Sequence, residues 1–322
     1  MQIFYSLDEA SAGIGRSACV TWGNFDGVHL GHQSLLRQLC LRSRERNLAS
    51  VVLTFTPHPL QLLGNPPSII TPLAEKLPLL AQAGVDFAVV LPFTKEVAAL
   101  EAEDFAELVF VKSLRTRQMV LGYSSFFGKG RRGSATLLTT MGKNLDFGVE
   151  QMPPVLLGGS VVSSTRVRKT IAAGDMDLAR ALLGRCHVVR GKVGRGRQLG
   201  RELGFPTLNL VNPNPGGGHD ELLSDQDCGM LPANGIYAAQ VEVRGECYRA
   251  AVSLGTNPTF EKEFGVSPRT LEAHLLNFSG DLYDEPARIH FWQRLRGQTR
   301  FASRAALVLQ IKKDVEQVEK LV

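Results

Sequence analysis

Two histidines, His29 and His32, stand three positions apart in GNFDGVHLGH (23–32), with Gly23, Gly27 and Gly31 around them. Imidazoles at that spacing can share a metal ion, fill a core or hold a phosphate. Zinc needs a third and usually a fourth ligand, and no cysteine or carboxylate lies at a matching spacing. The setting favours an anion. A strand-like CVTW (19–22) precedes the turn and a helix-like QSLLRQLCL (33–41) follows it. A turn between strand and helix gathers free backbone N–H groups and the positive end of the helix dipole. Gly27 and Gly31 allow a phosphate close to the backbone, and the two histidines add donors. The expected polyphosphate site comprises Gly23, Asn24, Phe25, Asp26, Gly27, His29, Gly31 and His32, and is built without a lysine. A packed core histidine is the competing reading for His29.

A second stretch, VVSSTRVRK (161–169), follows an apolar run and opens a helical pattern. Ser163, Ser164 and Thr165 are potential caps, with Arg166 and Arg168 just inside. Hydroxyls and a guanidinium at a helix N-terminus suit the outer phosphates of a nucleotide. A plain cap with a solvated arginine is the alternative. The chain has no GxxxxGK[ST], and GRGRQLG (194–200) departs from the dinucleotide fingerprint in spacing.

The elements that must position these residues change character along the chain. CVTW, VVLTF (51–55), FAVVLPF (87–93) and MVLGY (119–123) read as buried strands of a parallel sheet. Between them, Gln33–Asn47 places Leu35, Leu36, Leu39 and Cys40 on one helical face. Asp104–Leu114 does the same with Phe105, Leu108 and Val109, opening on an aspartate suited to the N-cap. Alternating strand and helix predict a doubly wound α/β domain with its ligand at the carboxyl ends of the strands. Beyond about residue 184 the rhythm becomes short strands without interposed helices: GIYAAQVEVR (235–244), YRAAVSLG (248–255), TLEAHLLNF (270–278) and RIHFW (288–292). That pattern predicts a small antiparallel barrel or sandwich. A helix from about Ser303 carries Ile311, Val315 and Val318 on one face, and 212–227 reads as an exposed loop. The expected domains are therefore 1–184 and 185–322.

Bulk properties narrow the function classes. At 322 residues, 44% hydrophobic and 21% charged, the chain fits two ordinary globular domains rather than a disordered segment. No apolar run reaches the roughly 18 residues needed to span a bilayer. The N-terminal MQIFYSLDEA carries no basic segment and is not expected to be a secretory signal. Five scattered cysteines without a CxxC pair suit a reducing cytoplasm. The net charge of +5 sits mostly in short glycine-containing loops, GKGRRG and GKVGRGRQLGR, which suits polyphosphate substrates and not a nucleic-acid stripe.

The GVHLGH turn after a first strand resembles the nucleotidyltransferase superfamily, whose members transfer AMP from ATP and use such histidines to stabilise the α-phosphate. With GNFDGVHLGHQSLL, TFTPHP (54–59), SSTRVR, LGRELGFPTLNL (199–210), LEAHLLNF (271–278) and LRGQTRFAS (295–303) in order, nearly the whole chain resembles the bacterial bifunctional riboflavin kinase/FAD synthetase family. The resemblance implies a Rossmann-like FMN adenylyltransferase domain followed by a six-stranded riboflavin kinase barrel with a C-terminal helix. The implied substrates are riboflavin, FMN and ATP, with Mg²⁺ carried by ATP and neither nucleic acid nor membrane as a partner; a monomer is expected. His29, His32, Arg166 and Glu272 are the expected catalytic residues. His58, Pro59, Ser124, Phe127 and Arg132 are the expected flavin contacts.

The second half can also be read directly for that chemistry. Thr207 and Asn209 alternate along a strand and share a face, offering hard oxygen ligands for Mg²⁺ on ATP. The glycine-rich run Gly191–Gly204, including Gly196 and Gly200, offers a phosphate flap. Glu272, the only carboxylate in its apolar stretch, reads by itself as an exposed strand position; the resemblance implies instead a base for a hydroxyl, pointing into the barrel's site. In GYSSFFGKGRRG (122–133), Ser124 stands where the family pattern has Asp or Asn, and Phe126 where it has Arg. Those two departures raise one alternative, a kinase with a weak or lost adenylyltransferase; a flavin- or nucleotide-binding regulator is a third, of a different class.

Overall fold

The structure is a computed structural model that describes residues 1–62, 64, 66–195, 200, 203–213, 223–256 and 269–321. Two compact units emerge: Met1–Pro67 with Leu73–Ser163, and Ser68–Pro72 with Ser164–Val322. The division falls inside the SSTR stretch, whereas the change of sequence rhythm lies twenty residues further on.

The first unit is a parallel sheet of six strands: β1 (Gln2–Phe4), β2 (Ala18–Trp22), β3 (Ala49–Thr56), β4 (Phe87–Pro92), β5 (Thr116–Leu121) and β6 (Gly148–Gln151), in the order β1-β4-β3-β2-β5-β6. Chain order runs outward from β2 to β3 and β4, then returns past β2 to β5. The crevice at the carboxyl ends of β2 and β5 is thus the topological switch point, where ligands of such sheets bind. Helices α1 (Leu7–Gly13), α2 (Leu30–Glu45), α3 (Pro59–Leu62) and α4 (Leu73–Gln82) connect the earlier strands. Ala18, Val20 and Trp22 face one core with Phe105, Phe110 and Phe127; Cys19 and Val52 face another with Leu35, Leu36 and Leu39 of α2.

Two boundaries differ from the sequence expectation for physical reasons. α2 begins three residues before Gln33, because the His29 ring caps it: His29 Nδ1 accepts from the His32 backbone N–H. The stretch expected as a regular helix from Asp104 is a short α segment, Ala102–Phe105, continuing as the π-helical Ala106–Ser113. Glu101, not Asp104, precedes its first turn. The wider winding carries Leu108 out to solvent and turns Ala106 and Phe110 inward beside Phe105 and Val109.

A short antiparallel pair, β7 (Leu156–Leu157) and β8 (Ser160–Val161), completes the first unit. The second unit is a closed antiparallel barrel of β9 (His187–Gly194), β10 (Leu208–Val211), β11 (Gly235–Val243), β12 (Glu246–Thr256), β13 (Arg269–Leu275) and β14 (Pro286–Arg296), in the order β10-β13-β12-β11-β14-β9. Burial alternates at period two, with Val189, Leu210, Val241, Val252, Ala273 and Ile289 among the residues filling the interior. The expected flap Gly191–Gly204 begins as strand instead: a Cβ on Gly191 or Gly194 would meet Leu210 or Val211 of β10, so these glycines let β9 and β10 close the barrel. Ser164–Ala173 and Met176–Leu183 form a helix pair in this unit, and the closing helix Arg304–Leu321 buries Val318, with Val315 packed alongside. Part of the expected 212–227 loop is a capped helical turn, Asp225–Cys228, that buries Cys228; residues 214–222 lie outside the described residues.

Candidate active sites

The turn Gly23–Gly31 runs from the end of β2 into α2. Gly23 N–H donates to the Leu53 carbonyl at 3.0 Å, continuing the sheet one residue beyond β2. The chain then reverses through positive φ at Phe25 (48°), Gly27 (90°) and Val28 (40°). Only Gly27 takes that conformation without steric cost. Packing holds the other two: Phe25 and Val28 are buried with Leu35, Leu36 and Leu39, and Gln33 Nε2 donates to the Val28 carbonyl at 2.9 Å.

This backbone sets the histidines. Their rings stack with centroids 3.7 Å apart and planes 14° apart, while Phe25 sits 5.1 Å from His32 on another side. His29 is only 5% exposed. Its Nδ1 accepts from His32 N–H at 3.3 Å, which makes Nε2 the N–H donor of the neutral ring. A Cβ on Gly31 would stand 3.1 Å from His29 Cε1 and 3.4 Å from the Val162 carbonyl, so the glycine leaves room for the ring. Phe25, expected at a phosphate, is a core residue that supports His32.

The TFTPHP motif joins this turn. The His58 and Asn24 side chains meet at 3.0 Å, and Thr54 Oγ1 donates to the Asn24 carbonyl at 3.4 Å. His58 Nδ1 accepts from Leu60 N–H, fixing the ring in place beside Pro59. On the far side of the switch point, Ser124 is exposed and Arg132 lies 3.9 Å from Glu101. Phe127 differs from the expectation of a flavin contact: it is 7% exposed and packs against Trp22, Phe105 and Phe110 at 5.2, 5.8 and 5.9 Å. These contacts make the ring part of the aromatic core around Trp22 and Phe110. Ser163 closes the first unit, and Ser164, Thr165 and Arg166 open the first helix of the second. Arg168, in the same helix, donates from Nε to the Ser68 carbonyl at 2.8 Å.

In the barrel, strand register builds the second cluster. Asn209 on β10 stands directly opposite Glu272 on β13, whose other neighbour is Ser253 on β12. Thr207, two residues before Asn209, reaches the same face, and its Oγ1 lies 3.4 Å from Glu272 Oε2. These side chains are half-buried on the outer face of the barrel, whereas Leu208, Leu271 and Ala273 fill the inside. Glu272 therefore does not point into the barrel. Gly200 serves the same cluster sterically: a Cβ there would meet the Phe205 carbonyl at 2.4 Å and Thr207 Oγ1 at 3.2 Å. Gly196 lies outside the described residues.

Sequence reasoning missed His274. It follows Glu272 by two positions on the same face, its Nδ1 lies 2.8 Å from the Pro206 carbonyl, and its ring packs edge-on against Phe205. It ties β13 to the segment that carries Thr207. The signal was the alternation that exposed Glu272, extended one step. Among the described residues no group of three or more His, Cys, Asp or Glu side chains forms a metal cage.

Comparisons with known proteins match the two parts of the chain separately. The FAD synthetase family model matches residues 13–166, and the riboflavin kinase family model matches residues 183–322. The bifunctional riboflavin kinase/FMN adenylyltransferase of Escherichia coli (strain K12) is 35% identical over 98% of this chain and 96% of its own. Those of Pseudomonas fluorescens and Haemophilus influenzae are 35% and 34% identical over 93% and 98% of this chain, and over 91% and 97% of theirs. A crystal structure from Streptococcus pneumoniae, described as a macrolide-efflux protein, superposes with a TM-score of 0.84 at 32% identity, covering 99% of both chains. The chain belongs to the bifunctional riboflavin kinase/FMN adenylyltransferase family.

Proposed function

We propose that residues 1–184 transfer the adenylyl group of ATP to FMN and residues 185–322 phosphorylate riboflavin. The chain then carries out riboflavin + ATP to FMN + ADP, followed by FMN + ATP to FAD + pyrophosphate. The observation that carries this assignment is that each matched half contains its own phosphate-suited cluster: a stacked histidine pair at a helix N-terminus, and a hydroxyl–amide–carboxylate face set by strand register.

In adenylyl transfer, an FMN phosphate oxygen attacks the α-phosphorus and the bond to pyrophosphate breaks. Negative charge grows on the α-phosphate oxygens, where His29 Nε2–H and His32 donate. Backbone N–H groups of the Gly23–Gly31 turn neutralise the same charge. Ser163, Ser164, Thr165 and Arg166 suit the β- and γ-phosphates that leave. His58, Pro59, Ser124 and Arg132 are the flavin-facing candidates, with Phe127 assigned to packing.

In phosphorylation, Glu272 takes the proton of the ribityl 5′-hydroxyl as that oxygen attacks the γ-phosphorus. Thr207, Asn209 and Glu272 form a donor set of hard oxygens that fits Mg²⁺, with Thr207 and Asn209 as its holders. Bound with ATP, Mg²⁺ would neutralise charge on the phosphate oxygens. Both steps use small molecules; we place them in the cytoplasm on a monomeric chain without nucleic acid or membrane. Among the described residues no helix is long and apolar enough to cross a membrane.

One observation favours a second reading, a kinase with weakened adenylyl transfer: Phe126, at the family's arginine place, is 49% exposed with Arg131 stacked 5.1 Å over its ring. Riboflavin incubated with Mg-ATP and followed by chromatography separates the two. FMN that rises and then gives way to FAD supports the bifunctional assignment. FMN that accumulates without FAD selects the second reading, and no flavin turnover overturns both.

A further inference from the structure

On the barrel face, the groups suited to the nucleotide lie on one side of Glu272. Asn209 pairs with it from β10, and Thr207 and Gly200 lie beyond, toward Pro206 and His274. Phosphoryl transfer sets the attacking and leaving oxygens roughly in line, so an acceptor held at Glu272 leads its chain away from those residues. That direction crosses to β12, the other neighbour of β13. Ser253 pairs with Glu272 there, and two residues on, Gly255 pairs with Thr270. By alternation these four share the outer face, while Val252, Leu254 and Leu271 fill the inside.

One polar side chain from outside the sheet reaches this spot. A Cβ on Gly255 would fall on the Gln298 amide, so that amide lies against the bare backbone of β12, in a residue otherwise exposed. The segment that carries it is pinned. At the end of β14, Arg296 grips Asp314 of the closing helix with two hydrogen bonds, Nε to Oδ1 at 3.0 Å and Nη2 to Oδ2 at 2.7 Å. Gln310 Nε2 donates to the same carboxylate at 2.9 Å, and the Asp314 side chain is 4% exposed. A two-bonded fork of this kind fixes orientation as well as distance. Arg296 Nη1 also donates to the Gly297 carbonyl at 3.1 Å, and its guanidinium lies 5.7 Å over the Phe301 ring. Gln298 is thus held between two anchored residues. Two residues along a strand span about 6.8 Å, close to the reach of an extended five-carbon chain. A primary amide donates and accepts, which matches a hydroxyl. We propose that Gln298 is a specificity-determining residue for phosphorylation: its amide hydrogen-bonds a secondary hydroxyl of the ribityl chain whose terminal hydroxyl stands at Glu272. The inference rests on the assignment of the Glu272 face to riboflavin phosphorylation.

Steady-state phosphorylation of two acceptors tests it: riboflavin, and a flavin whose ribityl chain is replaced by an ω-hydroxypentyl chain. The second keeps the ring and the terminal hydroxyl but lacks the secondary ones. One neutral hydrogen bond is worth about three- to tenfold, so Gln298→Ala should lower kcat/KM for riboflavin by that factor, mainly through KM. KM for ATP should stay within about twofold, and the hydroxypentyl flavin should lose less than about twofold. Gln298→Met keeps the length without the amide and should behave as Ala does. Gly255→Ala puts a methyl where the amide lies and should reproduce the riboflavin loss; adding Gln298→Ala to it should cost less than about a further twofold. Should Gly255→Ala fail to fold, the two Gln298 variants on the two acceptors decide alone. Unchanged riboflavin kinetics, equal losses on both acceptors, or losses that multiply in the double variant would each overturn the proposal. Glu272→Gln, run alongside, keeps the two failures apart. If it spares phosphorylation, the site assignment falls; if it abolishes phosphorylation while Gln298→Ala changes nothing, only the role of Gln298 falls.

Discussion

The histidine turn and the Glu272 face handle phosphate in two differently built ways. The turn is local: ten consecutive residues supply the backbone donors, both rings and the start of the helix that follows, and packing around Phe25 and Val28 holds the geometry. The barrel face is assembled from a distance. Thr207 and Asn209 meet Glu272 only because β10 and β13 pair in one register, and a slip of one residue would turn Glu272 inward and Leu271 outward. A site made by local backbone depends on its own packing, whereas a site made by register depends on the whole barrel.

The sharpest test of their independence is Glu272→Gln. Loss of a general base costs roughly 10²–10⁴-fold, so riboflavin phosphorylation should fall by that factor while FAD formation from FMN is unchanged. Coupled assays on one preparation read both, and parallel losses would break the comparison. The converse variant, His29→Ala, removes one donor from the α-phosphate and should lower FAD formation by roughly 10²–10³-fold, sparing phosphorylation. If His29→Ala also lowered phosphorylation, the local character of the turn would be wrong.

The same contrast explains what the sequence made legible. His29 and His32 could be assigned to one turn from their spacing alone, because strand, turn and helix are contiguous and Gly27 marks the reversal. What the pattern missed there was the cap: a histidine nitrogen doing the work of a serine or aspartate moved the start of α2 back to Leu30. In the barrel, alternation revealed that Thr207, Asn209 and Glu272 each face away from their apolar neighbours, yet it could not say which side of a closed sheet holds the site. The glycines at 191 and 194 resembled a phosphate loop because the sequence cannot show that Leu210 and Val211 need their space. Phe127 was misplaced for a related reason. Its motif position suggests a ligand contact, but the π-helical winding of Ala106–Ser113 turns Phe110 against it and closes the aromatic cluster.

A smaller perturbation probes how tightly the turn is tuned. In Gly31→Ala the new methyl would lie 3.1 Å from His29 Cε1 and 3.2 Å from Nδ1, so the ring must shift by a few tenths of an ångström. FAD formation should fall about tenfold through kcat. Within a helix the same change relieves a glycine, adding about 0.5–1 kcal/mol of stability. Opposite signs in activity and thermal midpoint would show geometry, not folding, as the limit. A variant both fully active and more stable would show that the stacked rings have slack.

The smallest effect concerns how the turn's helix is anchored. Arg42 and Gln38 of α2 both reach Glu150 on β6: Arg42 Nε at 2.7 Å from Oε2 and Gln38 Nε2 at 2.7 Å from Oε1. Hydrogen bonding from Arg42 holds the Glu150 carboxyl below its ordinary range, with Gln38 adding to it. The native state then binds fewer protons than the unfolded chain just below the ordinary glutamate pKa of about 4.3. Stability from this contact is therefore fully present above that value and is lost as pH falls through the depressed native one. The side chains are 33% and 29% exposed, which limits the gain to under about 1 kcal/mol. Trp22 lies in the first unit and Trp292 in the barrel, so a Trp292→Phe background leaves Trp22 fluorescence to report on the α/β unit alone. Followed that way in urea, Arg42→Met should lower the midpoint at neutral pH and converge on the parent as the pH drops below about 4. A gap that persists in acid would mean that Arg42 anchors α2 by packing rather than by its charge on a carboxylate.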